Sequence, residues 1–371
     1  MTDINSIVAG WLRDLAFVQT SPHSRWGYKR AASAVMHLDV PIDTLLNPDG
    51  TLHKIPHVGP ASTRVILEVL KTGSSAIVET AVAASPQQSD ILRRRGLRLQ
   101  FLSRAAALAA LRSRKPNVPA LSDIRCDLQM HSEWSDGSQT LDDIIQTGIE
   151  RGYTHSAVTD HSYGLPIAGG MPMAQVTLQH RDIDALNAKY AGRFRLLKGI
   201  EANIRADGSV DMTPSELAQF EIVVAAPHSA LRSATDQTAR MVAAVQTPGV
   251  HILGHPRGRM YGSRPGVTAD WDTVFAAAAR RGVAVELDGD SARQDLDYDL
   301  ARRALARGCL FAIDSDAHAA DQWWMAETGL AHARIAGIPR ARVINCWPLE
   351  TLLEWAHSRF VESAFAPGAP A

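Results

Sequence analysis

Cysteine is scarce: the 371 residues hold three, Cys126, Cys309 and Cys346, far apart and in no CxxC spacing. That pattern argues against a disulfide framework and a zinc ribbon, and fits a reducing compartment. A long apolar run is also lacking, so no segment is expected to span a bilayer. Asp3 stands where a secretory leader would carry Lys or Arg, which adds the expectation of a cytoplasmic protein with no membrane partner. Nor does charge of either sign dominate, since the formal net charge is −1. With 46% hydrophobic and 21% charged residues the composition is that of a globular protein, long enough for one large domain and one small one.

The near-zero charge hides an asymmetry. Residues 1–122 hold 15 Lys/Arg against 8 Asp/Glu, whereas residues 123–371 hold 23 against 31. A basic module joined to an acidic one suits a nucleic-acid tether beside a cation-binding enzyme, although surface charge also drifts along ordinary chains. Residues 1–84 read as helical: apolar residues recur at helical spacing from Ile4 to Ala16, and Trp26 to Leu38 forms a second helix. A further helix opens after Ile55-Pro56-His57-Val58-Gly59-Pro60-Ala61 and closes at Gly73. The basic stretch within 85–122 reads as a helical linker ending near Pro119, and the tail 361–371 as disordered.

Beyond residue 122 short β-rich runs alternate with helical stretches. Seven strand candidates emerge: 124–130, 156–159, 194–200, 221–226, 251–253, 283–287 and 310–313. Such alternation predicts an α/β architecture with a parallel sheet closing into a barrel over 123–360, preceded by a small all-α domain. At the C-terminal ends of these strands, where barrel enzymes carry their chemistry, stand Gln129-Met130-His131, Asp160-His161, Glu201, His228, His255 and Asp316-Ala317-His318, with Asp136 in the turn after the first. A lone His after a strand is usually structural; five, joined by three carboxylates, exceed what one zinc needs. Mixed imidazole and carboxylate donors suit Mn, Zn or Fe. His155 and His251 fall at strand starts and read as structural.

The motifs Asp127-Leu128-Gln129-Met130-His131-Ser132, Ser135-Asp136-Gly137, Thr159-Asp160-His161-Ser162, Lys198-Gly199-Ile200-Glu201, His228-Ser229, Gly254-His255-Pro256 and Asp316-Ala317-His318 together resemble the PHP (polymerase and histidinol phosphatase) superfamily. The likeness is nearest to the PHP domain at the C-terminus of bacterial family X DNA polymerases. It implies a distorted seven-unit (βα) barrel binding two or three divalent metal ions, and phosphoester hydrolysis by a metal-activated hydroxide. By resemblance one metal takes His131, Glu201 and Asp316, a second shares Glu201 with His228 and His255, and a third takes Asp136, His161 and His318. Gln129 stands where the superfamily usually has His, which implies a weaker ligand. Glu201, His255 and Asp316 would carry catalysis, with Asp160 as a possible proton donor by position alone.

Arg257, Arg259 and Arg264 follow His255 closely and are candidates for holding phosphate, since guanidinium forks match its oxygens. The alternative is a solvent-facing arginine loop. In the N-terminal part, the 55–61 segment resembles a helix-hairpin-helix hairpin, and with Trp26–Ala32 it resembles the small N-terminal domain of family X polymerases. DNA contacts are therefore expected from His57, Val58, Gly59, Ala61, Lys29 and Arg30, without sequence readout. Val65 stands where that domain can carry a lyase lysine, so no Schiff-base lyase activity is expected. Residues 85–122 leave no room for a polymerase domain. The expected function is DNA-end processing as a 3′-5′ exonuclease, a 3′-phosphatase or both. The alternative is a small-molecule phosphatase of the histidinol-phosphate type, and a third reading is a DNA-binding scaffold on a degenerate barrel. Nothing in the sequence sets the oligomeric state.

Overall fold

Six of the β-rich runs become strands that are short and largely buried on both faces, most plainly the apolar Ile222–Ala226, as parallel strands beneath crossover helices are. The computed structural model describes residues 2–361, and the tail from residue 362 lies outside the described residues. Six strands form one parallel sheet in sequence order: β1 (His155–Val158), β2 (Arg195–Asn203), β3 (Ile222–Ala226), β4 (Ile252–Leu253), β5 (Ala284–Asp288) and β6 (Leu310–Asp314). The sheet curls, with the order never reversing.

The first expected strand, 124–130, is a correction to that sequence reading. It is extended and runs between β1 and β6, but its ladder is broken by side chains. Backbone bonds join it to the β1 side (Ala157 N to Asp127 O, 3.0 Å; Thr159 N to Met130 O, 2.8 Å) and to the β6 side (Asp316 N to Gln129 O, 3.0 Å; His131 N to Ala317 O, 2.9 Å). Between these, Asp314 Oδ1 accepts from Leu128 N at 2.7 Å, and Ser156 and Thr159 hydroxyls accept from Asp127 N and Met130 N at 3.2 and 3.0 Å. Side-chain oxygens thus stand where a regular strand would find carbonyls.

By contact the chain divides into two units: residues 1–113 with Tyr261–Ser263, and the remainder. In the first unit lie α1 (Ile4–Val18), α2 (Pro22–Met36), α3 (Pro60–Thr72), α4 (Ala76–Ala83), α5 (Gln88–Gly96) and α6 (Arg104–Arg112). Asp3 caps α1 by accepting from Ser6 N, Pro60 opens α3 at its first turn, and Gly73 closes α3 at φ 76°. Val8, Leu12, Ala31, Val35, Ile66, Val69 and Ile91 form its core. Helices α5 and α6, read from sequence as a linker, belong to this unit. Ile91 is buried in its core, and Asp14, 2% exposed, takes the Arg95 guanidinium at 2.6 Å and that of Arg98. Arg93 and Arg94 both pair with Asp90 at 2.6 Å. Four arginines of the basic stretch are therefore paired with carboxylates of their own unit.

The second unit carries the sheet and α7 (Leu141–Glu150), α8 (Met173–Lys189), α9 (Pro214–Leu217), α10 (Thr238–Gln246), α11 (Trp271–Arg281), α12 (Tyr298–Ala306), α13 (Ala326–Ala336) and α14 (Leu349–Val361). Inside its curl the face-sharing residues form an apolar plug: Leu128, Ala157, Leu197, Val224, Ile252, Ala284 and Ala312, with Ile344, Leu352 and Ala356 below. Along each strand the next residues on the same face lie two positions on. That step takes Leu197 through Gly199 to Glu201, Ala284 to Glu286, and Ala312 to Asp314. The interior is apolar at one end and carboxylate-lined at the other because of this alternation.

His251 illustrates a buried structural histidine with a consequence. Its Nδ1 accepts from Val223 N at 2.9 Å and its Nε2 faces Ala356 O at 3.0 Å, an arrangement only the neutral ring satisfies. Burial pushes it down to about 4, as it does His155, and His332 falls to about 3. A lowered folded value means the unfolded chain binds more protons below its ordinary 6.5, so stability is full above 6.5 and declines as pH falls. Urea unfolding of this unit at pH 7, 5.5 and 4.5 should show a steep acid loss, of several kcal/mol in sum. In His251→Asn the slope should be shallower by about one proton.

Candidate metal centre

Glu201 is the hub. It lies on the interior face of β2, fully buried, and four imidazoles surround its two oxygens. Oε1 has His255 Nε2 at 3.0 Å and His228 Nε2 at 3.2 Å, and Oε2 has His161 Nδ1 at 3.1 Å and His131 Nε2 at 3.3 Å. His131 Nε2 also meets Asp316 Oδ1 at 3.1 Å. Asp136 Oδ1, half-exposed in its turn, has His161 Nε2 and His318 Nε2 both at 3.5 Å. The rings of His161 and His318 stack on opposite sides of His131, with centroids 4.3 and 4.4 Å away.

Among the described residues three groups of His, Asp and Glu have donor atoms close enough for one cation each: His131, Glu201 and Asp316; His161, Glu201 and His228; and His131, Asp136, His161 and His318. The first is the set that the resemblance implied. In the second His161 stands where His255 was expected, although His255 remains bonded to Glu201. The donor chemistry fits a divalent metal of the Zn, Mn or Fe class. Buried atoms without a hydrogen-bond partner concentrate here, namely His131 Nδ1, His161 Nδ1, His228 Nε2, His255 Nδ1 and Glu201 Oε2. Orphaned donors and acceptors in such number at one buried point suit a cation that they would share.

Electrostatics agree with that use. Burial works against the charge of Glu201, but His161 and His228 hold its carboxyl well below the ordinary range. Asp316 is likewise held low, against burial, by Arg293 and then His131, and Asp136 is held low by His161 and His318. His318 rises, against burial, to about 9 beside Asp136 and Asp316. These shifts favour the ionised carboxylates that a metal would need as ligands. Beneath them burial drives Glu286, Asp288 and Asp314 the other way, well up, each helped by a neighbouring carboxyl.

Two ligand positions sit on backbone that L-residues avoid: Asp316 at φ 53° and His255 at φ 21°. Strain of this kind costs on the order of 1–3 kcal/mol and persists where surroundings fix it. At His255 the backbone N–H donates to Glu286, and at Asp316 the N–H is taken by Gln129 O. His318 Nδ1 donates to Asp316 O at 2.8 Å, which leaves Nε2 for the site.

Several residues expected in the site do other work. Asp160, fully buried, accepts from Ser132 N (2.8 Å), Ser132 Oγ (2.6 Å), Ser135 Oγ (2.5 Å) and Gln179 Nε2 (2.6 Å). It braces the loop between His131 and Asp136 and belongs to none of the ligand groups, so the proton-donor role has no geometry behind it. Gln129 Oε1 accepts from Thr159 Oγ1 at 2.8 Å, and its Nε2 has no partner.

The arginine loop is built into the fold. Arg257 bonds Asp297 at 3.0 Å and Pro265 O, Arg259 bonds Asp297 and the carbonyl of Gln294, and Arg264 Nε bonds Gly258 O at 2.6 Å. The arginine that reaches the cluster is Arg293, missed in the sequence, whose Nη1 lies 2.6 Å from Asp316 Oδ2. Its signal was position alone: it follows the end of β5 by five residues.

In the helical unit, His57 adopts φ 64°, the conformation that a glycine would take freely, and its Nδ1 lies 2.7 Å from Arg30 Nη2. Gly59 caps α3 with no side-chain bond, and Ala61 lies in its first turn. A cleft of ≈ 350 Å³ is lined by His23, Gly27, Tyr28, His57, Gly59 and Ala61. Val58 is half-buried against the core, Lys29 is half-buried on α2, and Val65 is 1% exposed within the core.

No family model matches the chain. It is 35% identical over 231 residues to the DNA polymerase/3′-5′ exonuclease PolX of Bacillus subtilis (strain 168), which covers 62% of this chain and 40% of that protein. It is 27% identical over 245 residues to the probable phosphatase YcdX of Escherichia coli (strain K12), covering 63% and 94%. The chain therefore spans well under half the length of PolX and nearly all of YcdX. Among solved structures, histidinol phosphate phosphatase from Lactococcus lactis, complexed with zinc, L-histidinol and phosphate, aligns at 14% identity and a TM-score of 0.40, over 65% of this chain and 94% of that one. No helix among the described residues is long and apolar enough to cross a membrane. The chain is thus homologous to PolX over 231 residues and to YcdX over 245, and this homology supports an enzyme acting on phosphoester bonds.

Proposed function

We propose that the protein hydrolyses phosphoesters at DNA ends, removing a 3′-phosphate or terminal nucleotides, with two or three divalent ions of the Mn, Zn or Fe class. The observation that carries the hydrolytic part is Glu201, one buried carboxylate shared by two of the three ligand groups. Ions bound in adjacent groups would lower the pKa of a water and neutralise phosphoryl oxygens. The protein's own part is orientation: Glu201 and Asp316 fix the groups, and Arg293 holds Asp316 in place while presenting a partly exposed guanidinium beside them. Asp160 keeps the Ser132–Ser135 loop, and with it His131 and Asp136, in register.

DNA as substrate is supported by the helical unit, where the uncapped start of α3, the left-handed His57 and the exposed Arg30 line one face. The 35% identity to PolX, whose name includes a 3′-5′ exonuclease, supports the same reading. A second reading is a phosphatase of small metabolites, favoured by the match that covers 94% of YcdX.

A 5′-labelled DNA strand ending in a 3′-phosphate, incubated with Mn-loaded protein, should lose its phosphate or shorten stepwise, and His255→Ala should leave it intact. Intact DNA with the wild-type protein, alongside hydrolysis of histidinol phosphate, would sink the DNA reading and establish the second.

A further inference from the structure

Two histidines of one ligand group, His161 and His228, come from different strand ends, and one residue outside every group links them. His228 faces Glu201 through Nε2 because its Nδ1 lies 3.2 Å from Asn203 Oδ1. An amide oxygen there accepts only from a protonated Nδ1, so Asn203 sets the tautomer that leaves Nε2 bare. Asn203 is itself fixed by its backbone N–H, which donates to Asp211 Oδ1 at 2.9 Å. The other oxygen, Asp211 Oδ2, accepts from Ser162 Oγ at 2.6 Å, and Ser162 directly follows His161. Asp211 is 2% exposed and Ser162 fully buried. The packing leaves no slack: a Cβ on Gly164 would lie 1.8 Å from Asp211 Oδ2. The carboxylate is thus clamped between the backbone after His161 and the residue that orients His228.

We infer that Asp211 is a positioning residue which, through Asn203 and Ser162, sets the metal affinity of the His161–Glu201–His228 group. The inference rests on reading that cluster as a metal centre. Asp211 lies at the end of a small turn closed by the Ile204–Val210 bridge, eight residues past Asn203, and touches no ligand atom itself. Its carboxylate takes the backbone N–H groups of Asn203 and Gly164 and the Ser162 O–H; the hydroxyl can turn to accept from an NH₂ but the N–H groups cannot, so Asp211→Asn removes the charge they face and one of their acceptors. The change is nearly isosteric and leaves the packing against Gly164 in place. Outer partners of metal-bound histidine typically alter affinity by about 10–100-fold.

The test uses the full chain stripped with a chelator and titrated with Mn²⁺ and with Zn²⁺ by calorimetry, with thermal unfolding of each metal-free variant alongside. Asp211→Asn and Asn203→Leu should weaken one metal equivalent by about 10–100-fold, with metal-free melting within a few degrees of wild type. Asn203→Asp, which keeps an acceptor for His228 Nδ1, should bind close to wild type. Should Asp211→Asn fail to fold, the contrast between Asn203→Leu and Asn203→Asp decides. Wild-type binding by Asp211→Asn or by Asn203→Leu, or a loss matched by a fall in metal-free melting, overturns the role of Asp211. Wild-type protein that binds no divalent ion overturns the metal centre itself, and the inference with it.

Discussion

Glu201→Ala is expected to reduce phosphoester hydrolysis by about a thousandfold or more, the scale on which removing preorganised charge from a reacting centre acts. The reason is arithmetic of contacts: this one carboxylate meets His255, His228, His161 and His131 between 3.0 and 3.3 Å. Its loss removes an oxygen from two ligand groups together and leaves imidazoles crowded about a cavity. Glu201→Gln keeps the shape and removes the charge, so it separates ligation from packing. Both variants should bind at least one metal equivalent fewer by elemental analysis while keeping the far-ultraviolet circular dichroism of wild type. Activity within tenfold of wild type in Glu201→Gln, under saturating Mn, would show that the hub is structural.

The largest effect on stability is expected from a residue outside the site. Asn345→Ala should destabilise the sheet unit by about 3–5 kcal/mol, since each buried group left unpaired costs roughly 1–3 kcal/mol. Asn345 is fully buried, and its amide is saturated. Nδ2 reaches Cys126 O (3.2 Å), Ile313 O (2.9 Å) and Asp314 Oδ1 (2.9 Å), while Oδ1 accepts from Ile313 N (2.7 Å). Its carbonyl takes Arg125 N at 2.8 Å. One side chain thus joins the 124–131 segment to β6 where the backbone ladder is broken. The melting temperature of this unit should fall by about 10 °C, taking 2–4 °C per kcal/mol for a unit of this size. A fall of less than about 2 °C would show that the flanking backbone bonds hold the junction alone.

How much could be read from the chain follows from the reach of each interaction. Six strands and their polar ends were legible because they are set by local alternation, as in Leu197-Lys198-Gly199-Ile200-Glu201. The helix from Pro60 to Gly73 was legible for the same reason, with a start signal and a stop signal in adjacent residues. The irregular first segment was not, since its apolar pattern is that of a strand and only Asp314, 186 residues away, shows which oxygen Leu128 N will meet. The partners of arginines are hidden in the same way. Arg257 and Arg259 look like a phosphate loop until Asp297 appears beside them, some forty residues on. Arg95 and Arg98 belong to the stretch read as a basic linker, and only the fold shows Asp14 of the first helix beside them. Asp160 had the right neighbour in sequence, His161, but its side chain turns towards Ser132 and Ser135 instead of the ligands.

The closeness of His131 to Asp316, 3.1 Å across 185 residues, bears on how the protein is made. Translation delivers His131 first, then Glu201 and His228, and Asp316 with His318 after them. Until the last strand leaves the ribosome, only the His161–Glu201–His228 group has all its members, and Asn345, which seals the junction, emerges later still. A nascent chain would thus carry buried carboxylates and imidazoles without their partners, and a slow step between residues 255 and 345 would prolong its exposure to proteases and to ions of the wrong kind.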